Sequence, residues 1–358
     1  ITIIPDHTSV KRFSTSQGKP LLHGTFFNSD EQRVVFVRDM IITLVEFVST
    51  SEIVTTSYPF QLPFSSEISY VIPIECNSNN AGSELMVSSA QGIVTICDFD
   101  KPPKLIKQYA GNDSLAVAYG DIDNDGKKEV ISIIKSSVLE VLDLNGNIKY
   151  SGTYNLSNVE NPLYSGNLSV DYYFDATIAI ANIDDDPQKE IVTSSGIIID
   201  GLTKSIQKTS SRFIDRFGHT AVQIAAHDID NDNKDEIFVR FENDNDLLIY
   251  NLDKDELLTR ISLGSAGTFK SFDFFDTDGD GNSEIIGYSS YNGSAIDVYK
   301  ITGTPPALQF SANNELFDNH GWLPLNITLT DGIEIVSTEG IFDLHRLESV
   351  IIDKRADR

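Results

Sequence analysis

The chain has 358 residues, is 40% hydrophobic and carries a formal net charge of −26. That acidity argues against nucleic acid or an anionic membrane surface as a partner. No apolar stretch approaches the roughly 18 to 20 residues of a membrane span, and the chain opens at Ile1 without a basic, apolar leader, as expected of a mature form.

At this length the chain holds either two or three ordinary domains or one large repeat architecture, and internal repeats decide for the second. Arg33, Glu84, Glu129, Glu190, Glu236, Glu284 and Glu334 each stand just before an apolar run, 45 to 61 residues apart. That is the period of four-stranded propeller blades. The expectation is one all-β domain over 1–358, a seven-bladed β-propeller of four-stranded antiparallel blades. The blades are read at 20–62, 66–110, 112–154, 171–210, 216–263, 268–305 and 322–353, with segment 1–19 closing the ring.

The first unit has the weak loop FFNSDEQRVV, without an acid at its ninth position. In the second unit the loop ECNSNNAGSEL is Asn-rich and one residue too long, and both cysteines fall here. Cys76 follows the first strand and Cys97 ends the third. With the middle strand between them, those ends are about 9 to 10 Å apart at normal strand spacing. Two buried free thiols are the plain reading, and a disulfide requires the loop to fold over.

The third unit shows a whole blade. LAVAYGD from Leu115 is a strand, an acidic loop follows, and EVISII from Glu129, SVLEVLDL from Ser137 and NIKYSGTY from Asn147 are three more strands. Asn145-Gly146 marks the tight turn between the last two. First strands of successive units carry large residues on one face (Val117, Tyr119; Ile178, Ile180; Ile224, Ala226; Phe272, Phe274). The other face carries mostly small ones (Ala116, Ala118; Thr177, Ala179; Gln223, Ala225; Ser271, Asp273). This complementarity lets neighbouring blades interdigitate; Asp273 departs from it. The fourth unit follows the insertion NLSNVENPLYSGNLSV from Asn155. A second long connection, ALQFSANNELFDNHGW from Ala307, precedes the seventh unit, whose loop TDGIEIV is shortened.

Units three to six carry DIDNDGKKEV, NIDDDPQKEI, DIDNDNKDEI and DTDGDGNSEI, between the first and second strands. Oxygen side chains at loop positions 1, 3 and 5 and a Glu at 9 suit a hard cation, which takes about six to eight oxygen ligands. The expected ligands are Asp121, Asp123, Asp125 and Glu129 with the Lys127 carbonyl; Asn182, Asp184, Asp186 and Glu190 with Gln188; Asp228, Asp230, Asp232 and Glu236 with Lys234; and Asp276, Asp278, Asp280 and Glu284 with Asn282. Calcium, about four ions, is the expected metal. Four ions would bring the charge to roughly −18. Gly126 permits a left-handed turn, and Asn233, in the same place, tolerates one. Pro187 excludes it, which marks the fourth loop as distorted or weaker. An EF-hand needs its bidentate Glu at position 12 and flanking helices, so that reading fails. One such run alone reads as a solvated turn; four at blade spacing read as metal sites, structural rather than catalytic.

These repeats resemble the FG-GAP family, which includes the blades of the integrin α-subunit head and related secreted propellers. The likeness covers about residues 20 to 358 and is most specific at the four loops. AYG before Asp121 approximates one family element, whereas AHD and FFD stand at the equivalent places in units five and six. The resemblance implies calcium loops on one face and partner binding on the other. Tyr164, Phe310, Phe317 and Trp322 in the long insertions are then the candidate anchors of a partner face. The fold serves receptors, adhesins, lectins and lyases alike.

Five glycosylation sequons stand at Asn112, Asn155, Asn167, Asn292 and Asn326. That count is near chance for this composition; the placement of Asn155 and Asn167 in an insertion carries more weight. Calcium loops of modest affinity fill at extracellular calcium levels, so a secreted or cell-surface location is expected, a cytosolic propeller being the other reading. Among the six histidines only His219 and His227 share a strand, and His227 reads as packing at a strand end. No catalytic constellation is found, so the chain is not expected to be an enzyme. The expected function is a protein-interaction, adhesion or extracellular-assembly module binding a protein or matrix partner or assembling with itself. The alternative is a calcium-dependent polysaccharide lyase or sugar-binding propeller.

Overall fold

The computed structural model describes residues 19–25, 32–38, 41–47, 55–65, 68–76, 83–98, 101–109, 115–134, 137–154, 178–214, 221–230, 232–241, 246–262, 268–275, 282–290, 294–301, 307–313, 322–325, 334–337 and 340–343. Residues 1–18, the insertion from Asn155, all five sequons, Tyr164, Phe317, Asp276, Asp278 and Asp280 lie outside the described residues.

The strands form antiparallel sheets taken in chain order. The first sheet holds β1 (Lys19–Thr25), β2 (Gln32–Arg38), β3 (Ile41–Phe47) and β4 (Thr55–Gln61), and the second β5 (Ile68–Ile74), β6 (Glu84–Ser89), β7 (Gly92–Ile96) and β8 (Lys104–Gln108). The third holds β9 (Leu115–Gly120), β10 (Glu129–Ile134), β11 (Val138–Leu142) and β12 (Ile148–Thr153). The fourth holds β13 (Ile178–Ala181), β14 (Glu190–Thr193), β15 (Ile197–Ile199) and β16 (Ile206–Thr209). The fifth has β17 (Gln223–His227), β18 (Glu236–Arg240), β19 (Asp246–Asn251) and β20 (Glu256–Ser262); the sixth has β21 (Thr268–Phe275), β22 (Glu284–Ser290), β23 (Ser294–Lys300) and β24 (Ala307–Asn313). A last sheet has three described strands, β25 (Trp322–Leu325), β26 (Glu334–Ser337) and β27 (Gly340–Asp343).

The third sheet matches the strands read from Leu115, Glu129, Ser137 and Asn147, and Gly146 has a φ of 83° at the expected turn. One expectation is corrected. Residues 307–313 are the outer strand of the sixth sheet, paired with β23, not a connection after residue 305. Phe310 therefore stands opposite Val298 in a sheet, and Trp322 opens β25. The reason lies in what an outer strand requires: with one edge unpaired, ALQFSAN carries too little apolar alternation to stand apart from a loop.

First strands lie side by side in sequence, β5 against β9, β9 against β13 and β13 against β17, and β1 lies against β25 and β26, so the last sheet adjoins the first. Second strands between such neighbours are therefore covered on both faces where their side chains are described. ELMVSS in β6, EIVT in β14 and EIFVR in β18 are buried throughout, while the fourth strands β12 and β16 are largely exposed.

Each core layer sits between two sheets, because alternate side chains of a strand face opposite neighbours. Ala116 and Ala118 pack with Ile178 and Ile191, with Ile180 against them. Ala179 and Ala181 pack with Ile224 and Ile237, and Phe238 packs with Phe272 and Ile285. The small face of one first strand thus receives the large face of the next. Gly120 makes the fit close, since a Cβ there would stand 2.9 Å from Ile180 Cδ1. Each buried Ile, Val, Leu or Phe side chain in these layers contributes roughly 1.5–3 kcal/mol, whereas an exposed pair such as Lys101 with Asp98 adds at most about 1 kcal/mol. Packing between sheets holds the fold.

A bulge recurs at the pairing of third and fourth strands, at Ile93/Val94, Val141/Leu142, Ile198/Ile199, Ile249/Tyr250 and Val298/Tyr299. Bulges strengthen the local twist and turn outer edges away from pairing with other chains.

Candidate metal centres

The turn between first and second strands begins and ends on paired residues: Gly120 with Glu129, Ala181 with Glu190, and His227 with Glu236. Each glutamate is buried, with at most 1% exposure. Its Oε2 accepts the N–H of the second loop residue, from Ile122 at 3.4 Å, Ile183 at 3.0 Å and Ile229 at 3.1 Å. The isoleucines pack into the inter-sheet cores. An apolar anchor and a buried acid therefore fold each loop back over the strand ends.

This geometry collects the acids. Carboxylate oxygens of Asp121, Asp123 and Glu129 lie within 4.8 Å of one another, as do those of Asp184, Asp186 and Glu190 and those of Asp228, Asp230 and Glu236. These three groups could hold a metal ion. Asp125 and Asp232 stay in the loops but outside the groups; each accepts a backbone N–H at 2.8 Å, from Lys127 and Lys234 respectively. Gln188 N–H likewise donates to Asp186 at 2.9 Å. The Lys234 ammonium turns to Asp185 at 2.9 Å and Asp253 at 2.8 Å. In the sixth sheet Glu284 is fully buried and Asn282 exposed, while the three aspartates of that loop are outside the described residues.

Turn conformation separates the loops. Gly126 has a φ of 81° and Asn233 one of 69°, and their N–H groups donate to the first aspartate, Asp121 Oδ2 and Asp228 Oδ2, at 2.9 Å each. Pro187 has no N–H to give, and its loop begins with Asn182 instead of an aspartate. Even so, the fourth loop keeps its acids together.

The buried glutamates are not neutralised equally. In the third sheet the Lys149 ammonium, from β12, bonds Glu129 Oε1 and lies 3.9 Å from Asp125. In the fifth, Asn251 Nδ2 donates to Glu236 Oε1 at 3.4 Å. In the fourth, Glu190 Oε1 and Asn182 Oδ1 are buried with no hydrogen-bond partner. Burial raises the Glu129 carboxyl despite Lys149. It pushes Glu190 and Glu236 up to about 7, the loop aspartates adding to the rise and the backbone N–H bonds opposing it. Orphaned buried oxygens beside two more carboxylates suit a cation, because an unpaired buried acceptor costs about 1–3 kcal/mol and oxygen-only donors match a hard divalent ion. Lys149 and Asn251, from strands with no motif, are contributors that sequence spacing alone did not reveal.

The cysteines correct an expectation. Cys76 and Cys97 form a disulfide with Cα atoms 6.0 Å apart. Cys76, two residues past β5, donates its N–H to Glu84 Oε2 at the start of β6 at 2.8 Å, which holds it over the end of the middle strand and within reach of Cys97. His227 stacks on Phe274 with ring centroids 4.7 Å apart, and burial lowers its basicity, in keeping with packing at a strand end.

No protein-family model matches this chain, and no curated protein sequence matches it. Solved structures do match. That of BBS1N in complex with ARL6DN, soaked with lead, aligns over 94% of this chain and 96% of that chain, with TM-score 0.57 and 13% identity. The structure of Saccharomyces cerevisiae Sqt1 aligns over 89% of this chain and 83% of that chain, with TM-score 0.54 and 12% identity. At such identities the likeness concerns the fold, and with the succession of four-stranded antiparallel sheets it makes this chain a β-propeller.

Proposed function

We propose that this chain is a seven-bladed propeller whose blades three to six are fastened by calcium, working outside the cell as a protein-interaction module. One observation carries the reading: three successive sheets place two aspartates and a buried glutamate together at the same connection. A cation there would be held by Asp121, Asp123 and Glu129, by Asp184, Asp186, Asn182 and Glu190, and by Asp228, Asp230 and Glu236. It would supply positive charge beside the buried acids, which only Glu129 of the three already receives, from Lys149. The FG-GAP-like spacing supports calcium, and Asp276, Asp278, Asp280 and Glu284 extend the pattern to the sixth blade. The Cys76–Cys97 disulfide supports an oxidising compartment. The likeness to a propeller crystallised with another protein, BBS1N with ARL6DN, supports an interaction role through fold alone.

Pull-down of surface proteins by the wild-type chain, by a variant lacking 155–170 and by the wild type in chelator tests this. Partners retained only by the intact, calcium-loaded protein are expected. Equal capture by all three would overturn the reading, as would turnover of a polysaccharide to unsaturated product.

A further inference from the structure

We propose that the fourth and fifth loops form a coupled pair of cation sites, in which the fourth site is completed by the fifth loop, with Asp235 and Asn233 as positioning residues. This rests on the cation reading above.

In the third and fifth loops, the first ligand is held from within. The N–H of Gly126 or Asn233 fixes the carboxylate of Asp121 or Asp228. The fourth loop has lost both partners, for Pro187 cannot donate and Asn182 replaces the aspartate. What holds Asn182 instead comes from the neighbouring sheet. Its backbone N–H donates to Asp235 Oδ2 at 2.7 Å, and its carbonyl accepts the Asp235 N–H at 2.6 Å. Its side-chain Nδ2 donates to the Asn233 carbonyl at 2.6 Å.

That third bond decides the orientation of the amide. With Nδ2 committed to Asn233, Oδ1 is left as the free end, buried and without a hydrogen-bond partner, as is Oε1 of Glu190 in the same loop. Glu190 is fully buried. Two orphaned acceptors in one acidic loop are the ligand-seeking part of the fourth site, and one of them is aimed by the fifth loop.

Asn233 links the two. Its left-handed backbone, φ 69°, depends on the bond from its N–H to Asp228, the first ligand of the fifth site. Asp228, Asn233 and Asn182 therefore make a continuous relay from one site to the next. The fifth loop, ordered around its own cation, presents the Asn233 carbonyl and Asp235 in the positions Asn182 needs. When the fifth loop loses order, Asn182 loses three bonds at once. Coupling of this kind is reciprocal in binding free energy, and the site lacking internal support shows it first.

The test is a cycle of variants on the full, oxidised chain, with calcium counted by equilibrium dialysis at a concentration that just saturates the wild type. Glu190→Gln is expected to remove one ion per chain, Glu236→Gln two, and the double variant two. Removal of one ion by each single variant and two by the double would show independent sites and overturn the coupling while leaving the cation reading intact. A wild type that binds no calcium would overturn the cation reading itself. Asp235→Ala leaves every proposed ligand in place and is expected to weaken one calcium site about tenfold by calorimetry, the usual scale for a supporting residue. Asp235→Asn, which keeps an acceptor for the Asn182 N–H, is expected to restore it. Calcium affinities in Asp235→Ala equal to wild type would overturn the completion of the fourth site by the fifth loop.

Discussion

In the second sheet the turn from β5 to β6 buries Glu84 and bonds it to the Cys76 N–H at 2.8 Å; in the fourth, the turn from β13 to β14 buries Glu190 and bonds it to the Ile183 N–H at 3.0 Å. The frame is shared, and the fastening differs. The second sheet ties its turn to the end of β7 through Cys76–Cys97, whereas the fourth gathers Asp184 and Asp186 around a glutamate with an unpaired oxygen. One connection is closed by a covalent bond that needs no ion. The other holds charges that repel until something positive joins them. The sheets should therefore respond to different agents.

Chelation should have the largest effect. A ligand present at a hundred times its dissociation constant stabilises by about 2.7 kcal/mol per site, so the three sites formed by described residues alone amount to roughly 8 kcal/mol and a fall in melting temperature on the order of 10 °C. Calorimetry in calcium and in chelator measures it. An unchanged melting temperature would reduce the acidic loops to solvated turns.

Dependence on pH comes next and should reverse between the two conditions. Without a cation, Glu190 and Glu236 stand near pH 7 in the folded chain against an ordinary 4.5. The folded state then holds protons that the unfolded state has released. This contribution is present in full below about 4.5 and is lost as pH rises through 7. Melting temperature in chelator should fall by several degrees from pH 5 to 7.5. In calcium it should rise over the same interval, since protons then compete with the ion.

Removing the disulfide should cost less and should ignore calcium. Its two cysteines are 21 residues apart, and closing a loop of that size is worth about 3 kcal/mol on the chain-entropy account. Cys97→Ser with Cys76→Ser should lower the melting temperature by a similar amount with calcium or chelator. A loss seen in chelator alone would mean that the second and fourth sheets are not separately fastened.

Much of this architecture was legible because its signals repeat. Alternating small and large faces along the first strands point to the inter-sheet layers, the glutamate at the ninth position of the acidic loops marks the period, and the strands from Leu115, Glu129, Ser137 and Asn147 fall where periodicity puts them. Local signals gave out wherever an element needed little burial or a contact spanned sheets. The sequence of β24 reads as a loop because an outer strand tolerates polar residues. Strand spacing alone keeps the two cysteines apart, while the bond from the Cys76 N–H to Glu84, which spacing does not show, holds Cys76 over the sheet end. Asn182 and Asp235 are 53 residues apart, and no loop pattern relates them.

The smallest expected effect sharpens the comparison within the acidic loops, where the third sheet differs from the fourth by an internal cation. Lys149 reaches Glu129 Oε1 and stands 3.9 Å from Asp125, while no donor reaches Glu190 Oε1. The carboxylate raises the Lys149 ammonium above its ordinary range, so the lysine stays charged at any pH of interest. It can do two opposite things. In chelator it offsets part of the charge on a buried acid, and Lys149→Met should cost on the order of 1 kcal/mol, a modest figure because the lysine is partly solvated. In calcium the same ammonium competes for Glu129, and its removal should tighten one site severalfold. Melting curves in both conditions, with calorimetric titration, separate these effects. Destabilisation in chelator together with tighter calcium binding identifies Lys149 as a tethered competitor. A loss in both would make it a plain structural ion pair, and the third loop would then join the second sheet as a connection closed without metal.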